Sequence, residues 1–158
     1  MMSMRAVSDD DLSDFFMNDP QLCLLGLSDE TLVELYKTRR YSPNYGTVYM
    51  GAYIGEDLKG ILKYDLFTSH CVNVHVYVSS SIHHTESVRP LVSAIKQYLI
   101  EEVDAIKAVL FVPSSCEHVH KFAPKMGFKQ EGLITQCLLW RQKLVDLVVY
   151  GLDISKVK

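Results

Sequence analysis

One stretch of the chain sets polar side chains at two-residue spacing: Asn73, His75, Tyr77 and Ser79, interleaved with Val72, Val74, Val76 and Val78. Strict alternation is the period of a β-strand, so the valines face one side of a sheet and the polar set the other. An imidazole held there can accept a proton from an amine near neutral pH, which makes His75 the candidate general base. Tyr77 is the candidate acid beside it. Both side chains would serve equally as packed groups on a sheet face with Asn73.

The other reactive clusters carry less. Cys116 and His120 are one helical turn apart, but His118 points elsewhere and no second pair completes a tetrahedral set, so no metal is expected. Ser79, Ser80 and Ser81 lack the glycine-framed turn of a nucleophilic serine. Cys23, Cys71, Cys116 and Cys137 are widely spaced and form no CxxC pair, which suits a reducing compartment better than a disulfide framework. Lys37, Arg39 and Arg40 read as a solvated helix end rather than a nucleic-acid patch.

The elements that must position His75 are legible in outline. Met4–Val7 suits a first strand. Ser8 before Asp9, Asp10 and Asp11 is an N-cap followed by acids at the positive end of a helix, with Leu12, Phe15 and Phe16 as its apolar stripe. Ser28 opens a second helix, and 42–46 is a loop. Thr47–Ile54 and Gly60–Phe67 are strands joined across Gly55–Lys59, and Cys71–Ser79 is the alternating strand. Thr85–Glu102 repeats apolar residues at helical spacing (Val88, Leu91, Val92, Ile95, Leu99). Ile106–Val112 is a strand ended by Pro113, and Ser114–Met126 a helix whose last turn Pro124 must disturb. Glu131–Trp140 and Leu144–Leu152 complete the chain as strands, with Leu139 and Trp140 in the core or an interface. The order β-α-α-β-β-β-α-β-α-β-β defines an α/β (α+β) class with a mixed sheet flanked by helices.

With 158 residues, 48% of them hydrophobic and 22% charged, the chain fits one domain over 1–158 and needs no crosslink to bury a core. The net charge of −3 leaves no electrostatic footprint for nucleic acid or anionic membrane. Met1–Asp11 lacks the pattern of a signal peptide, and no apolar run approaches the roughly 20 residues of a membrane span. A soluble cytoplasmic protein is expected. The charge is uneven: residues 1–36 hold eight acids against one base, and residues 37–158 hold 15 bases against 11 acids. This acidic quarter is either a solvated face or a rim for a cationic acceptor or basic protein partner.

Lys121-Phe122-Ala123-Pro124-Lys125-Met126-Gly127-Phe128, followed by Glu131-Gly132, resembles the helix, Gly-Phe, Glu-Gly signature of the GNAT acyltransferase superfamily. The element order resembles that family's over nearly the whole chain, and 145–152 is similar to its last strand. The resemblance extends to short GNAT-like proteins encoded by bacteriophages, which implies a virion, assembly or host-interaction role, self-association included, as the non-catalytic alternative. As an enzyme, the family likeness implies acetyl-CoA bound where the strand Cys71–Ser79 parts from Ile106–Val112, with an amine as acceptor. The implied cofactor contacts are Val76, Val78 and Ser79 on the strand, and His83, His84 and Arg89 around the next helix N-terminus, where backbone N–H groups would meet the pyrophosphate. The sequence departs from the family there: Glu86 and Val88 stand where small residues are usual. It departs again at Ala123, where many members carry a tyrosine acid, and in Ser114-Ser115-Cys116-Glu117, which lacks the asparagine often found at the start of that helix.

Overall fold

The computed structural model describes residues 1–18, 48–79, 88–140 and 142–155. The expected second helix at Ser28, the loop at 42–46 and the start of the helix at Thr85 lie outside the described residues. Ten elements follow in order: β1 (Met2–Ala6), α1 (Asp9–Asn18), β2 (Val48–Ile54), β3 (Asp57–Leu66), β4 (Cys71–Val78), α2 (Val88–Glu101), β5 (Lys107–Pro113), α3 (Glu117–Lys125), β6 (Lys129–Trp140) and β7 (Lys143–Asp153). The class is mixed α/β, as the order of elements implies.

The seven strands form a sheet ordered β1-β2-β3-β4-β5-β7-β6. Every neighbouring pair is antiparallel except β4–β5, the parallel pair whose connection is α2. Helix α1 lies on one face, where Leu12 packs with Ile61 and Tyr77. Helix α2 buries Val88, Leu91, Ile95 and Leu99 on the other face against Leu62, Val72, Val74 and Ala108. Helix α3 shares the α2 side, since Lys96 Nζ donates to the Met126 carbonyl at 2.9 Å and Phe122 packs on the same core.

Local chemistry explains the ends of these elements. Ser8 caps α1, its Oγ accepting from the Asp11 N–H at 3.1 Å. The β2–β3 hairpin is tighter than the expected five-residue connection. Only Gly55 and Glu56 form the turn, because Gly55 adopts φ +62, which places glycine where a two-residue turn demands it. A bulge between Ala52 and Tyr53 absorbs the register change. Helix α3 starts at Glu117 instead of Ser114, since Ser114 and Ser115 form a turn after Pro113. Pro124 sits in the last turn, and the helix closes one residue later. Gly127 at φ +94 then completes a Schellman cap: its N–H meets the Pro124 carbonyl, and the Phe128 N–H meets the Ala123 carbonyl, each at 3.1 Å.

Candidate active site

Strands β4 and β5 pair only through Cys71↔Lys107, Val72↔Ala108 and Asn73↔Val109. Beyond Asn73 they part, although β4 runs on to Val78 and β5 to Pro113. On their outer sides both stay paired, β4 to β3 through Val78 and β5 to β7 through Pro113. The gap is therefore held open by the two flanking ladders. It forms a cleft lined by His75, Val76, Tyr77, Leu110, Phe111, Val112, Pro113 and Val119, with about 340 Å³ of empty space that is partly open to solvent.

Backbone direction decides which β4 residues address this cleft. The Ser79 N–H donates to the Lys59 carbonyl at 2.8 Å, and the Cys71 carbonyl accepts from Phe67, so odd-numbered residues spend their backbone groups on the β3 side. Successive residues alternate. Val76 and Val78 consequently direct their N–H and C=O groups toward β5, where no ladder partner meets them among the described residues. Of the two expected backbone contacts on even positions, Val76 lines the cleft and Val78 does not, while the Ser79 amide is bonded to Lys59. At the apex, Asn73 Oδ1 is buried and has no hydrogen-bond partner among the described residues.

His75 and Tyr77 both line the cleft. Their side chains lie on the α1 face, in line with Ile61 and Lys63, their partners across the β3–β4 ladder. Burial lowers the His75 pKa to about 4, and the adjacent Lys63 ammonium acts in the same direction. The imidazole is therefore neutral at physiological pH. It accepts hydrogen bonds, but it is a weaker proton acceptor than an ordinary histidine. Tyr77 is 7% exposed and packed with Leu12 and Ile61, so it forms part of the wall under α1.

The remaining expected contacts fall apart from this group. Arg89 is exposed in the first turn of α2. His83, His84 and Glu86 lie outside the described residues. Ala123 is 2% exposed within the α3–β7 core, and no phenol occupies its place. From the sequence, His120 belongs only to an incomplete metal set. In the structure, its Nε2 meets the Pro113 carbonyl at 2.9 Å and its Nδ1 meets the Tyr150 hydroxyl at 2.7 Å. The i, i+4, i+7 relation of Cys116, His120 and Ala123 could have placed it on the inward stripe of α3. Among the described residues no cluster of three metal-binding side chains occurs, and no helix is long and apolar enough to cross a membrane.

The mixed sheet, whose one parallel pair among the described strands parts at Asn73, shares its fold with GNAT-type acetyltransferases. Solved structures agree. A spermidine N-acetyltransferase from Vibrio cholerae, in complex with CoA and spermine, superposes with a TM-score of 0.74 at 14% identity, over 98% of this chain and 96% of its own. A chimera built on that enzyme gives 0.73 at 15% identity, over 98% and 96%. A structure described only as a candidate acetyltransferase gives 0.76 at 13% identity, over 99% and 87%. No family model and no curated protein matches the chain. The similarities are to acetyltransferases, and nothing in them supports the expected kinship with phage-encoded proteins.

Proposed function

We propose that the chain, read as one cytoplasmic domain over 1–158, is an acyl-CoA-dependent N-acyltransferase acting on a soluble amine. The observation that carries this reading is the cleft formed where β4 leaves β5 at Asn73, with backbone of Val76 and Val78 beyond the ladder on one wall and His75 at its lining. The residues present suit acyl-CoA. Strand-like polar groups on Val76 and Val78 match an amide-bearing arm. When bound, acyl-CoA supplies an activated thioester carbonyl.

The chain's own part is positioning. Neutral His75 accepts an N–H from the incoming amine and holds it with its lone pair free to attack. As the nitrogen becomes cationic, its excess proton leaves through His75 or water. Leu110, Phe111 and Val112 give the β5 wall an apolar lining that limits competing water. Tyr77 holds the wall under α1. Arg89, His83 and His84 are proposed as the cation-bearing contacts for phosphate.

A second reading, a GNAT-fold binding module without catalysis, draws on one observation: the buried Ala123 supplies no acid for the leaving thiolate. Thermal melting with acetyl-CoA separates the possibilities. A ligand at 100 times its dissociation constant adds about 2.7 kcal/mol, a shift of several degrees for a domain this size. A shift with thiol release upon adding an amine supports the enzyme, and a shift without release under any amine supports the module. No shift at millimolar acetyl-CoA defeats both as CoA-binding proteins.

A further inference from the structure

Charge around the cleft bears on which amine it accepts, an inference that rests on the acyl-CoA reading. Among the described residues that charge is sparse. None of the lining residues is a carboxylate. Lys63 lies directly across the β3–β4 ladder from His75, on the same face of the sheet, with Tyr49 of β2 as its other cross-strand neighbour. It is half-buried and makes no ion pair or hydrogen bond among the described residues. Burial lowers its pKa, with Asp65 opposing, and its charge is felt at His75. The ammonium thus stands within electrostatic reach of the imidazole that faces the cleft.

The nearby acids do not cancel it there. Asp65 pairs with Asn73, one like-facing step toward the closed end of the fork, whereas the cleft opens in the opposite direction. Asp11 accepts from the Tyr53 hydroxyl at 3.4 Å, which turns its carboxylate toward β2, while the neighbouring Leu12 packs on Ile61 and Tyr77. Asp9, Asp10 and Asp14 are exposed on the same helix. Among the described residues the charge felt at His75 is that of Lys63, and no carboxylate of α1 contributes to it. A polyamine would bring additional positive charges beside Lys63, whereas an anionic group would find its counter-ion.

We propose that Lys63 is a specificity determinant, and that the acceptor is an amine carrying a carboxylate or phosphate close to its reacting nitrogen. The test measures thiol release from acetyl-CoA with spermidine, L-glutamate, L-phenylalanine and glucosamine 6-phosphate, using the full chain and its Lys63→Gln, Lys63→Glu and Lys63→Arg variants. The amino acids and the sugar phosphate separate the two sources of negative charge. The expected result is at least tenfold higher kcat/KM for one anionic amine than for spermidine. Lys63→Gln should lose tenfold or more for that acceptor, chiefly in KM, Lys63→Arg should retain most of it, and Lys63→Glu should shift preference toward spermidine. The proposal is overturned if spermidine is the best acceptor, if no anionic amine is used, or if Lys63→Gln keeps its KM within twofold. Melting with acetyl-CoA runs alongside. A shift with no anionic preference removes the acceptor assignment alone, and no shift removes the acyl-CoA reading and this inference together.

Discussion

The hydroxyl of Tyr150 on β7 donates to Nδ1 of His120 on α3 at 2.7 Å. The direction follows from the other ring nitrogen. Nε2 stands 2.9 Å from the Pro113 carbonyl, which can only accept, so Nε2 carries the hydrogen and Nδ1 the lone pair. Pro113 ends β5 and lines the cleft. One imidazole therefore ties the rim of the cleft to both the helix behind it and the neighbouring strand.

Replacing His120 by Ala should leave the Tyr150 hydroxyl, in a side chain only 6% exposed, without its partner. An orphaned buried group costs about 1–3 kcal/mol, and Tyr150→Phe, which removes the hydroxyl itself, should cost less than His120→Ala. Urea denaturation of the two variants checks the order.

His75 gives stability a pH dependence of known sign. Its folded pKa, about 4, lies below the ordinary value of 6.5, so between these pH values the unfolded chain binds a proton that the folded chain does not. Stability should fall as pH drops from about 6.5 toward 4, by on the order of 3 kcal/mol from this group, and it should lose nothing more from it at lower pH. His75→Gln should flatten that slope. Urea melts at pH 7, 5.5 and 4.5 measure the difference between the two proteins.

Gly127 cannot be replaced without strain. At φ +94 a side chain is disfavoured, and an added Cβ would stand 3.2 Å from Leu152 Cδ1. Gly127→Ala should destabilise by about 1–2 kcal/mol, seen as a lower melting temperature with unchanged secondary structure by circular dichroism.

Two further substitutions should differ sharply. Leu91 is fully buried between α2 and the sheet, and Leu91→Ala should cost about 2–5 kcal/mol. Lys107 bridges Glu131 at 2.6 Å and Asp153 at 3.5 Å, but all three side chains are about a third or more open to solvent. Lys107→Ala should cost less than about 1 kcal/mol, and still less in high salt. Denaturant midpoints with and without 1 M NaCl report both effects.

Most of the architecture was legible because it is written in local periods. The valine alternation over 72–78 specified a strand with His75 and Tyr77 on one face, and the apolar spacing from Val88 to Leu99 specified the inner stripe of α2. Gly127 announced the end of α3 because few other residues adopt its backbone angle. Errors clustered at boundaries, where one residue's preference decides: the β2–β3 turn closed to Gly55-Glu56, and α3 began three residues late at Glu117.

The site was legible only in part. Composition and spacing nominated His75, but nothing local to β4 states that its pairing with β5 stops at Asn73, since that depends on the ladders each strand makes on its other side. The same dependence left Ser79 bonded to Lys59, joined His120 to Tyr150 across 30 residues of sequence, and set Lys63 opposite His75. The sequence alone determined which side chains exist and which face of an element each occupies, because those follow from the 2.0 and 3.6 residue periods of the backbone. Only the tertiary structure decided which faces meet, because strand register and burial arise from contacts between residues that the chain itself keeps far apart.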